Sequence, residues 1–553
     1  MRKRKSIMFW LTALLAVASL AAVACTSGVP LKDYDAAKAQ LAAKEQELAS
    51  AQAALQAAKS KAEEVSKIAK VNAEEISVRE GELSQKSAEV AQLQTTIKGL
   101  APTTVVQAGK LEPAPTSAQP SGWDTAESIR GGLKLVATYD SSGPDAFDVK
   151  AHPMVYFTSE GGTGKDGTTL LPGLHIIDAY SKEVITSASY DLGAKISPHT
   201  VGVSPDGKWA YLEGIRLLQD GKTTEGVTFI INARTLKLDK VVKQESMMQG
   251  SLRNQNLHHV TSFADSKGRD RVALEYGFGS SGGPHFLLDP KDNNRVVKAI
   301  TLDDTGYWMG HPFLTVDPTG KYLFVSLKMS AWSGVAKEVG GVAKFNTENW
   351  TVTVIPGVGE HLIGMMVTAD GKFLYANDGE DSQVYKIDLA TNSVVGKTSC
   401  NVAGCYGMAM NWDETLLYVN GKGEGAANQG HILGVIDLKT FRPAASTLIS
   451  GVNQPIELGE GSRTTDHSFL HPDPAVNELW ISNMGGTVTT VLDLKTNTVK
   501  ARIPTPHGGN THSGAFVRYK ADWTGTVLAD HGGPKAEILA IRLAKAQAAA
   551  AAK

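Results

Sequence analysis

Cysteine is scarce in this sequence, at three of 553 residues, which excludes a disulfide-stapled scaffold. Aromatic residues make up only 7% of the chain, whereas glycine occurs 55 times, a composition that suits a turn-rich β protein. The formal net charge is −2, so charge gives no reason to expect a nucleic-acid partner. The chain is too long for one compact domain, and two or more units are expected.

The first 24 residues predict a signal peptide. Basic residues at 2–5 precede an apolar run from Ile7 to Ala24. The run ends in Ala22-Val23-Ala24-Cys25, which resembles the lipobox of bacterial lipoproteins, where the cysteine is lipidated and becomes the mature N-terminus. Cys25 and residues 25–30 would then form the lipidated start of the chain. An uncleaved membrane anchor is the alternative. Both interpretations place the rest outside the cytoplasm, anchored to the cell membrane or the outer membrane and facing the periplasm or the cell surface.

Residues 31–100 lack proline and are rich in Ala, Glu, Lys, Gln and Leu. Apolar residues recur there at every seventh position: Leu41, Leu48, Leu55, Ala62, Ala69, Ile76, Leu83, Val90 and Ile97. This repeat predicts an α-helical stalk, either one solvated helix or a coiled coil through which chains self-associate. At about 1.5 Å per residue the stalk would reach about 100 Å. Residues 101–130, with four prolines, are predicted to be a linker.

Residues 131–545 repeat a unit of four strands separated by turns. The turn signals, each followed by an apolar β run, include Ser204-Pro205-Asp206-Gly207, Asp317-Pro318-Thr319-Gly320 and Ala369-Asp370-Gly371. Such units predict an all-β protein, a seven- or eight-bladed β-propeller, followed by an Ala-rich tail at 546–553. The segment 387–395 resembles the YVTN-type propeller repeat. The last unit has strands predicted at 514–519, 526–529 and 537–542, and residues 132–139 are expected to add its missing outer strand.

Histidine recurs where the innermost strand of each unit begins. Seven such starts carry the residues His199, His258 with His259, His311, His361, Tyr406, His467 and His512. In propellers of this type these starts lie on one face beside the central channel. One histidine there commonly binds backbone or water, but so many imidazoles crowded together would repel each other when protonated. A shared metal or cofactor would remove this conflict, because neutral imidazole is a good ligand for copper, zinc, nickel and iron.

The histidine arrangement resembles that of nitrous oxide reductases, whose propeller binds a copper–sulfide cluster. The resemblance implies copper as the cofactor, with His199, His258, His259, His311, His361, His467 and His512 as ligands. The chain also resembles the haem propeller of dissimilatory nitrite reductases, which implies a haem-type cofactor as the alternative. Tyr406 departs from the histidine pattern, and it is predicted to be a cofactor-binding residue. No Cys-x-x-Cys-His occurs, which excludes conventional covalent haem attachment. In nitrous oxide reductases a cupredoxin domain supplies electrons to the copper cluster. We identify no such domain in this sequence, so a separate electron-transfer protein is the expected donor.

Cys400 and Cys405 bracket a short loop, and outside the cytoplasm a disulfide between them is the expected state. Copper ligation by this pair is the alternative. Two classes of function remain open from the sequence. One is a membrane-anchored metal- or cofactor-dependent oxidoreductase, and the other is a surface platform that binds a protein or another ligand without catalysis.

Overall fold

A computed structural model describes residues 133–551, all of which belong to one compact unit. The gaps in this range are 150–151, 164–168, 191–195, 218–223, 245–256, 277–284, 301, 306–307, 330–338, 360, 380, 403, 423–431, 445–455, 459–464, 485 and 510. The predicted signal peptide, Cys25, the helical stalk and the linker lie outside the described residues.

Seven antiparallel sheets form the blades of a β-propeller. The first six strands are β1 (Leu133–Thr138), β2 (Met154–Ser159), β3 (Gly162–Thr163), β4 (Thr169–Leu170), β5 (Gly173–Asp178) and β6 (Val184–Ser189). Blade 2 contains β7 (Ile196–Val203), β8 (Trp209–Leu217), β9 (Thr224–Asn232) and β10 (Leu238–Gln244). Blade 3 contains β11 (Leu257–Ala264), β12 (Asp270–Tyr276), β13 (His285–Asp289) and β14 (Arg295–Ile300).

Helix α1 (Leu302–Thr305) leads into blade 4, which contains β15 (Trp308–Val316), β16 (Tyr322–Met329), β17 (Val339–Asn346) and β18 (Val352–Pro356). Blade 5 contains β19 (Leu362–Val367), β20 (Phe373–Asp378), β21 (Gln383–Asp388) and β22 (Ser393–Ser399). Blade 6 contains β23 (Cys405–Met410), β24 (Leu416–Gly421), β25 (Ile432–Asp437), β26 (Arg442–Pro443) and β27 (Ile456–Glu457). Blade 7 contains β28 (Thr465–Leu470), β29 (Glu478–Asn483), β30 (Val488–Asp493) and β31 (Thr498–Pro504). The chain continues through β32 (Gly514–Tyr519), β33 (Gly525–Asp530), β34 (Gly533–Pro534) and α2 (Ala536–Ala551).

The two ends of the propeller close the circle in blade 1. Strand β32 pairs with β2, and β2 pairs with β5, so one blade contains strands from both ends of the fold. The hydroxyl groups of Tyr156 and Tyr519 lie 2.9 Å apart across this junction. The closure leaves no open sheet edge between the first and last blades.

Each blade ends its third strand with Asp or Asn, whose side chain accepts a hydrogen bond from a backbone N–H two or three residues further on. These residues are Asp178, Asn232, Asp289, Asn346, Asp388, Asp437 and Asp493. This Asx turn directs the chain into the fourth strand, and its seven copies mark the seven blades. Of the two predicted blade numbers, seven is the observed one.

Two predictions for the ends of the propeller are wrong. Strand β1 does not complete the last unit but pairs with β10 as an outer fifth strand of blade 2. The segment Glu537–Arg542 is helical, as part of α2, and not a strand. Its run of Ala, Leu, Ile, Glu and Lys has strong helix propensity, and the apolar Ile538 and Leu539 are buried against the blades.

Candidate metal centre

The inner strands bring four of the predicted histidines together. His258 and His259 belong to β11 in blade 3, His467 belongs to β28 in blade 7, and His512 directly precedes β32 in blade 1. All four side chains are buried. Because β7, β11, β15, β19, β23, β28 and β32 surround the channel, residues near the same end of these strands converge although they are far apart in sequence.

The ring nitrogens of these histidines gather around His259. Its Nε2 lies 2.8 Å from Nε2 of His512 and 2.9 Å from Nε2 of His467. Nδ1 of His258 lies 3.1 Å from the same atom. Imidazole nitrogens this close must share a proton or a cation, since two facing lone pairs repel. We call these four residues the histidine cluster.

Two buried carboxylates adjoin the histidine cluster. Asp466 binds Nδ1 of His512 through Oδ2, and its Oδ1 lies 3.5 Å from the buried ammonium of Lys422. Oε2 of Glu275 lies 3.8 Å from Nδ1 of His259. A carboxylate on Nδ1 fixes the ring and the tautomer, so that Nε2 offers its lone pair to a metal. Asp466 therefore directs Nε2 of His512 toward the cluster, whereas Glu275 lies beside His259 without a hydrogen bond to its ring.

A second ring of polar side chains surrounds the inner strands. It takes one fully buried residue from the second strand of each blade: Thr158, Glu213, Glu275, Ser326, Asn377, Asn420 and Ser482. Several of them bind the inner strand of the following blade. Glu275 accepts from the N–H of Leu314 at 3.0 Å, Asn377 donates to the carbonyl of Tyr406, and Ser482 donates to the carbonyl of His512. This polar ring locks adjacent blades together at the level of the histidines.

One histidine of the site, His531, is not among the ligands predicted from the sequence. It lies in the turn between β33 and β34, a hairpin that crosses the channel. Its Nε2 is 3.1 Å from Oε1 of Glu275 and 3.0 Å from Oγ1 of Thr261, and its ring stacks on His259 with centroids 4.4 Å apart.

The other predicted ligands are His361, His199 and His311, and none of them is seen in the histidine cluster. His361 is partly exposed, and its backbone N–H donates to Asp378. It belongs to none of the three close ligand groups found among the described residues, which are His258–His259–His512, His259–Glu275–His531 and Asp466–His467–His512. His199 and His311 lie on β7 and β15 as predicted, but their side chains are outside the described part of the structure.

Tyr406, the predicted cofactor-binding residue, is buried beside the cluster, with its ring centroid 5.3 Å from that of His467. The ammonium of Lys422 lies 3.8 Å from the centre of the Tyr406 ring.

The predicted disulfide is not formed in this structure. Cys400 and Cys405 are free, buried thiols. The Cys400 thiol donates to the carbonyl of Val402 at 3.2 Å, and the Cys405 thiol donates to that of Asp378 at 3.1 Å. Burial raises the pKa of the Cys405 thiol well above its usual value, which keeps it protonated. Neither cysteine belongs to the close ligand groups of the described residues.

The donor set and its spacing fit a metal ion. Two imidazole nitrogens bound to one tetrahedral ion, with bonds of about 2.0–2.1 Å, lie about 3.3 Å apart. The observed separations of 2.8–3.1 Å, all measured from Nε2 of His259, are slightly shorter than this value.

Comparison with solved structures finds matches of low sequence identity. The dihydro-heme d1 dehydrogenase NirN, solved in complex with DHE, matches with 15% identity and a TM-score of 0.44, covering 77% of this chain and 84% of that one. A putative 6-phosphogluconolactonase from Bacteroides fragilis NCTC 9343 matches with 15% identity and a TM-score of 0.44, covering 68% of this chain and 100% of that one. Hydrazine synthase of Kuenenia stuttgartiensis matches with 15% identity and a TM-score of 0.37, covering 67% and 98%. At these identities the likeness concerns the fold alone.

No family model matches the chain, and no curated protein matches its sequence. Within the described residues, none of the helices is both long enough and apolar enough to cross a membrane. The features that bear on function are therefore the histidine cluster and the residues that orient it.

Proposed function

We propose that the propeller is a metal-binding protein whose histidine cluster holds a transition-metal ion in a redox role. His259, His467 and His512 would bind the ion through Nε2, and His258 would supply a fourth nitrogen. The observation that carries the proposal is the convergence of Nε2 atoms from three different blades. Nε2 of His259 lies 2.8 Å from Nε2 of His512 and 2.9 Å from Nε2 of His467. The carboxylate of Asp466 on His512 supports it, since ligating histidines usually donate their second N–H to such a group.

Copper is the metal we propose. A set of imidazole nitrogens without thiolate suits copper, zinc, iron and nickel, and copper binds such ligands most tightly among the divalent ions. Of these, zinc alone cannot exchange electrons, whereas copper can. A haem-type group is the alternative cofactor.

Export and anchoring are part of the same proposal. The lipobox-like sequence at Cys25 supports a lipoprotein held at a membrane, with the YVTN-type propeller carried outside the cytoplasm on the helical stalk. A separate electron-transfer protein would then deliver or remove electrons. The stalk could associate with stalks of other copies.

Elemental analysis of the full chain, purified without a histidine tag, tests the proposal. We expect stoichiometric copper in the wild type and its loss in His467→Ala and His512→Ala. The matched control is His285→Gln, because His285 is buried but lies at the start of β13, outside the three ligand groups. A wild-type chain that stays free of metal after copper loading would overturn the proposal. The propeller would then be a platform that binds a protein or another ligand without catalysis.

A further inference from the structure

A second group of ligand atoms lies against the histidine cluster. Oγ1 of Thr261 is 2.7 Å from Oε1 of Glu275, and Nε2 of His531 is 3.0 and 3.1 Å from these two atoms. All three side chains are buried. His259 adjoins these residues, because its Nδ1 lies 3.8 Å from Oε2 of Glu275. We call Glu275, His531 and Thr261 the hairpin group.

The hairpin between β33 and β34 holds His531 rigidly in this position. Asp530 accepts a hydrogen bond from the N–H of Ser262 at 3.0 Å and from the ammonium of Lys535. The carbonyl of Gly532 accepts from Oγ1 of Thr315 at 2.7 Å. These bonds tie the residues on both sides of His531 to the inner strands of blades 3 and 4. Because the backbone on both sides of His531 is held in this way, less conformational entropy is lost when its imidazole contacts Glu275.

We propose that the hairpin group is a second metal site, in which Glu275 and His531 hold a cation on the Nδ1 side of His259. The inference rests on the proposed function, because His259 would belong to both sites. Its Nε2 lies near His467 and His512, whereas its Nδ1 lies 3.8 Å from Oε2 of Glu275 and 3.2 Å from Nδ1 of His258. One imidazole would thus stand between two ions.

The spacing of the donors agrees with a bound ion. Two ligands of one tetrahedral ion lie about 3.3 Å apart. Nε2 of His531 lies 3.1 Å from Oε1 of Glu275, and Nδ1 of His259 lies 3.8 Å from Oε2 of Glu275. These two separations lie on either side of this value. A site of two imidazole nitrogens, a carboxylate and a hydroxyl suits copper or zinc.

Binding of a second ion would require particular protonation states of its ligands. His259 can bind two ions only as an imidazolate, so it loses its ring proton to solvent when the second ion binds. His531 must bind through an unprotonated Nε2, and Glu275 as a carboxylate. The imidazolate and the carboxylate each carry one negative charge. They would offset part of the charge of two divalent ions in a buried site.

A hydrogen-bonded network is the alternative for the same atoms. In that case Thr261 and His531 would donate to Glu275, and only the histidine cluster would bind metal. The two arrangements differ in metal stoichiometry, which makes them easy to separate.

Copper content per chain is the decisive measurement, made on the untagged full chain after loading with excess copper and desalting. We expect two ions in the wild type and one ion in Glu275→Gln and in His531→Gln. The control is His175→Gln, a buried histidine outside the ligand groups, which should keep two. A wild type with one ion, or Glu275→Gln and His531→Gln variants that keep two, would overturn the inference and leave the proposed function intact. A wild type with none would overturn both.

Electron paramagnetic resonance of the wild type gives a readout that needs no variant. Two Cu(II) ions joined through the His259 ring should couple, so the wild-type signal should integrate to much less than its copper content. The His531→Gln variant should give the full signal of one isolated ion. A fully integrating, uncoupled spectrum in the wild type would contradict the bridging position of His259.

Discussion

Nε2 of His259 and Nε2 of His512 lie 2.8 Å apart, although 253 positions separate the two residues in the sequence. One is on the inner strand of blade 3, and the other precedes the inner strand of blade 1. Blade 1 itself exists only when β32 has paired with β2. The contact between the two rings therefore depends on closure of the whole circle, and metal binding should be a sensitive measure of that closure.

The first prediction concerns Asp466. Asp466→Asn keeps the size of the side chain but removes the negative charge next to Nδ1 of His512. We expect the affinity for copper to fall about 10- to 100-fold, because the ring loses the partner that orients it and raises its basicity. Competition against a coloured chelator measures the change. The exposed turn variant Asp388→Asn serves as the control and should bind copper like the wild type. Equal affinities in the two variants would show that Asp466 does not support the site.

The second prediction concerns the close approach of blades 6 and 7 at Gly407. A Cβ atom there would lie 2.7 Å from Cα and from Nδ1 of His467. Gly407→Ala should therefore push the two inner strands apart, costing about 1–3 kcal/mol of unfolding free energy and most of the bound copper. Calorimetry and elemental analysis measure the two effects.

A matched glycine tests whether position matters. In Gly396→Ala, on the outer strand of blade 5, the new Cβ would meet only the ring of Phe441 at 3.0 Å and the side chain of Lys386. These side chains can shift, so we expect a smaller loss of stability and full copper content. Retention of copper in Gly407→Ala would contradict the predicted role of this contact.

Much of the fold was predictable because each blade repeats the same local signals. The turn sequences and the Asp that ends each third strand, such as Asp388 and Asp493, form a regular series along the chain. The same register places histidine at the start of inner strands, so the meeting of His258, His259, His467 and His512 followed from their positions alone. The sequence left seven and eight blades open, because the strands that share blade 1 come from opposite ends of the fold.

The remaining site residues depend on contacts between blades, which one sequence does not reveal. Asp466 precedes a predicted ligand, but its bond to His512 crosses from blade 7 to blade 1. His531 reaches the cluster only because the hairpin enters the channel. Glu275 did carry a signal, since Glu213 and Glu275 are the only charged residues at this buried position of the second strands. A buried carboxylate at a strand centre needs a partner, and this could have directed attention to it.

The third prediction concerns Arg542, whose side chain connects α2 to blade 6. Its buried guanidinium donates to the carbonyl of Met410 at 2.6 Å and lies 3.3 Å from Oε1 of Glu414. Arg542→Ala should cost about 2 kcal/mol or more, because a charged hydrogen bond is lost and a buried carbonyl loses its donor. Urea unfolding measures this cost. Hydrogen exchange should also speed up in the hairpin that carries His531.

The matching arginine is Arg518, which forms an exposed pair with Glu537 of the same helix. Arg518→Ala should cost less than about 1 kcal/mol, as exposed ion pairs usually do. Similar losses for Arg542→Ala and Arg518→Ala would mean that the buried contact does not hold the helix.

The last prediction concerns the acid sensitivity introduced by His175. Burial, with a smaller contribution from nearby His507, lowers the pKa of His175 from 6.5 to about 3. The folded protein therefore keeps this ring neutral, whereas the unfolded chain takes up a proton as the pH falls below 6.5. Since the unfolded state binds more protons between these two values, stability falls as the pH falls. At pH 5 the loss from this one residue is about 2 kcal/mol relative to pH 7.

His175→Gln should remove that part of the pH dependence. We expect its free energy of unfolding in urea to fall by about 2 kcal/mol less than that of the wild type between pH 7 and pH 5. Comparing each protein with itself at the two pH values cancels any direct effect of the substitution. His285→Gln should behave in the same way, because burial also lowers the pKa of His285 to about 3. A pH dependence unchanged in both variants would show that these rings become protonated without unfolding the propeller, and that their surroundings admit water.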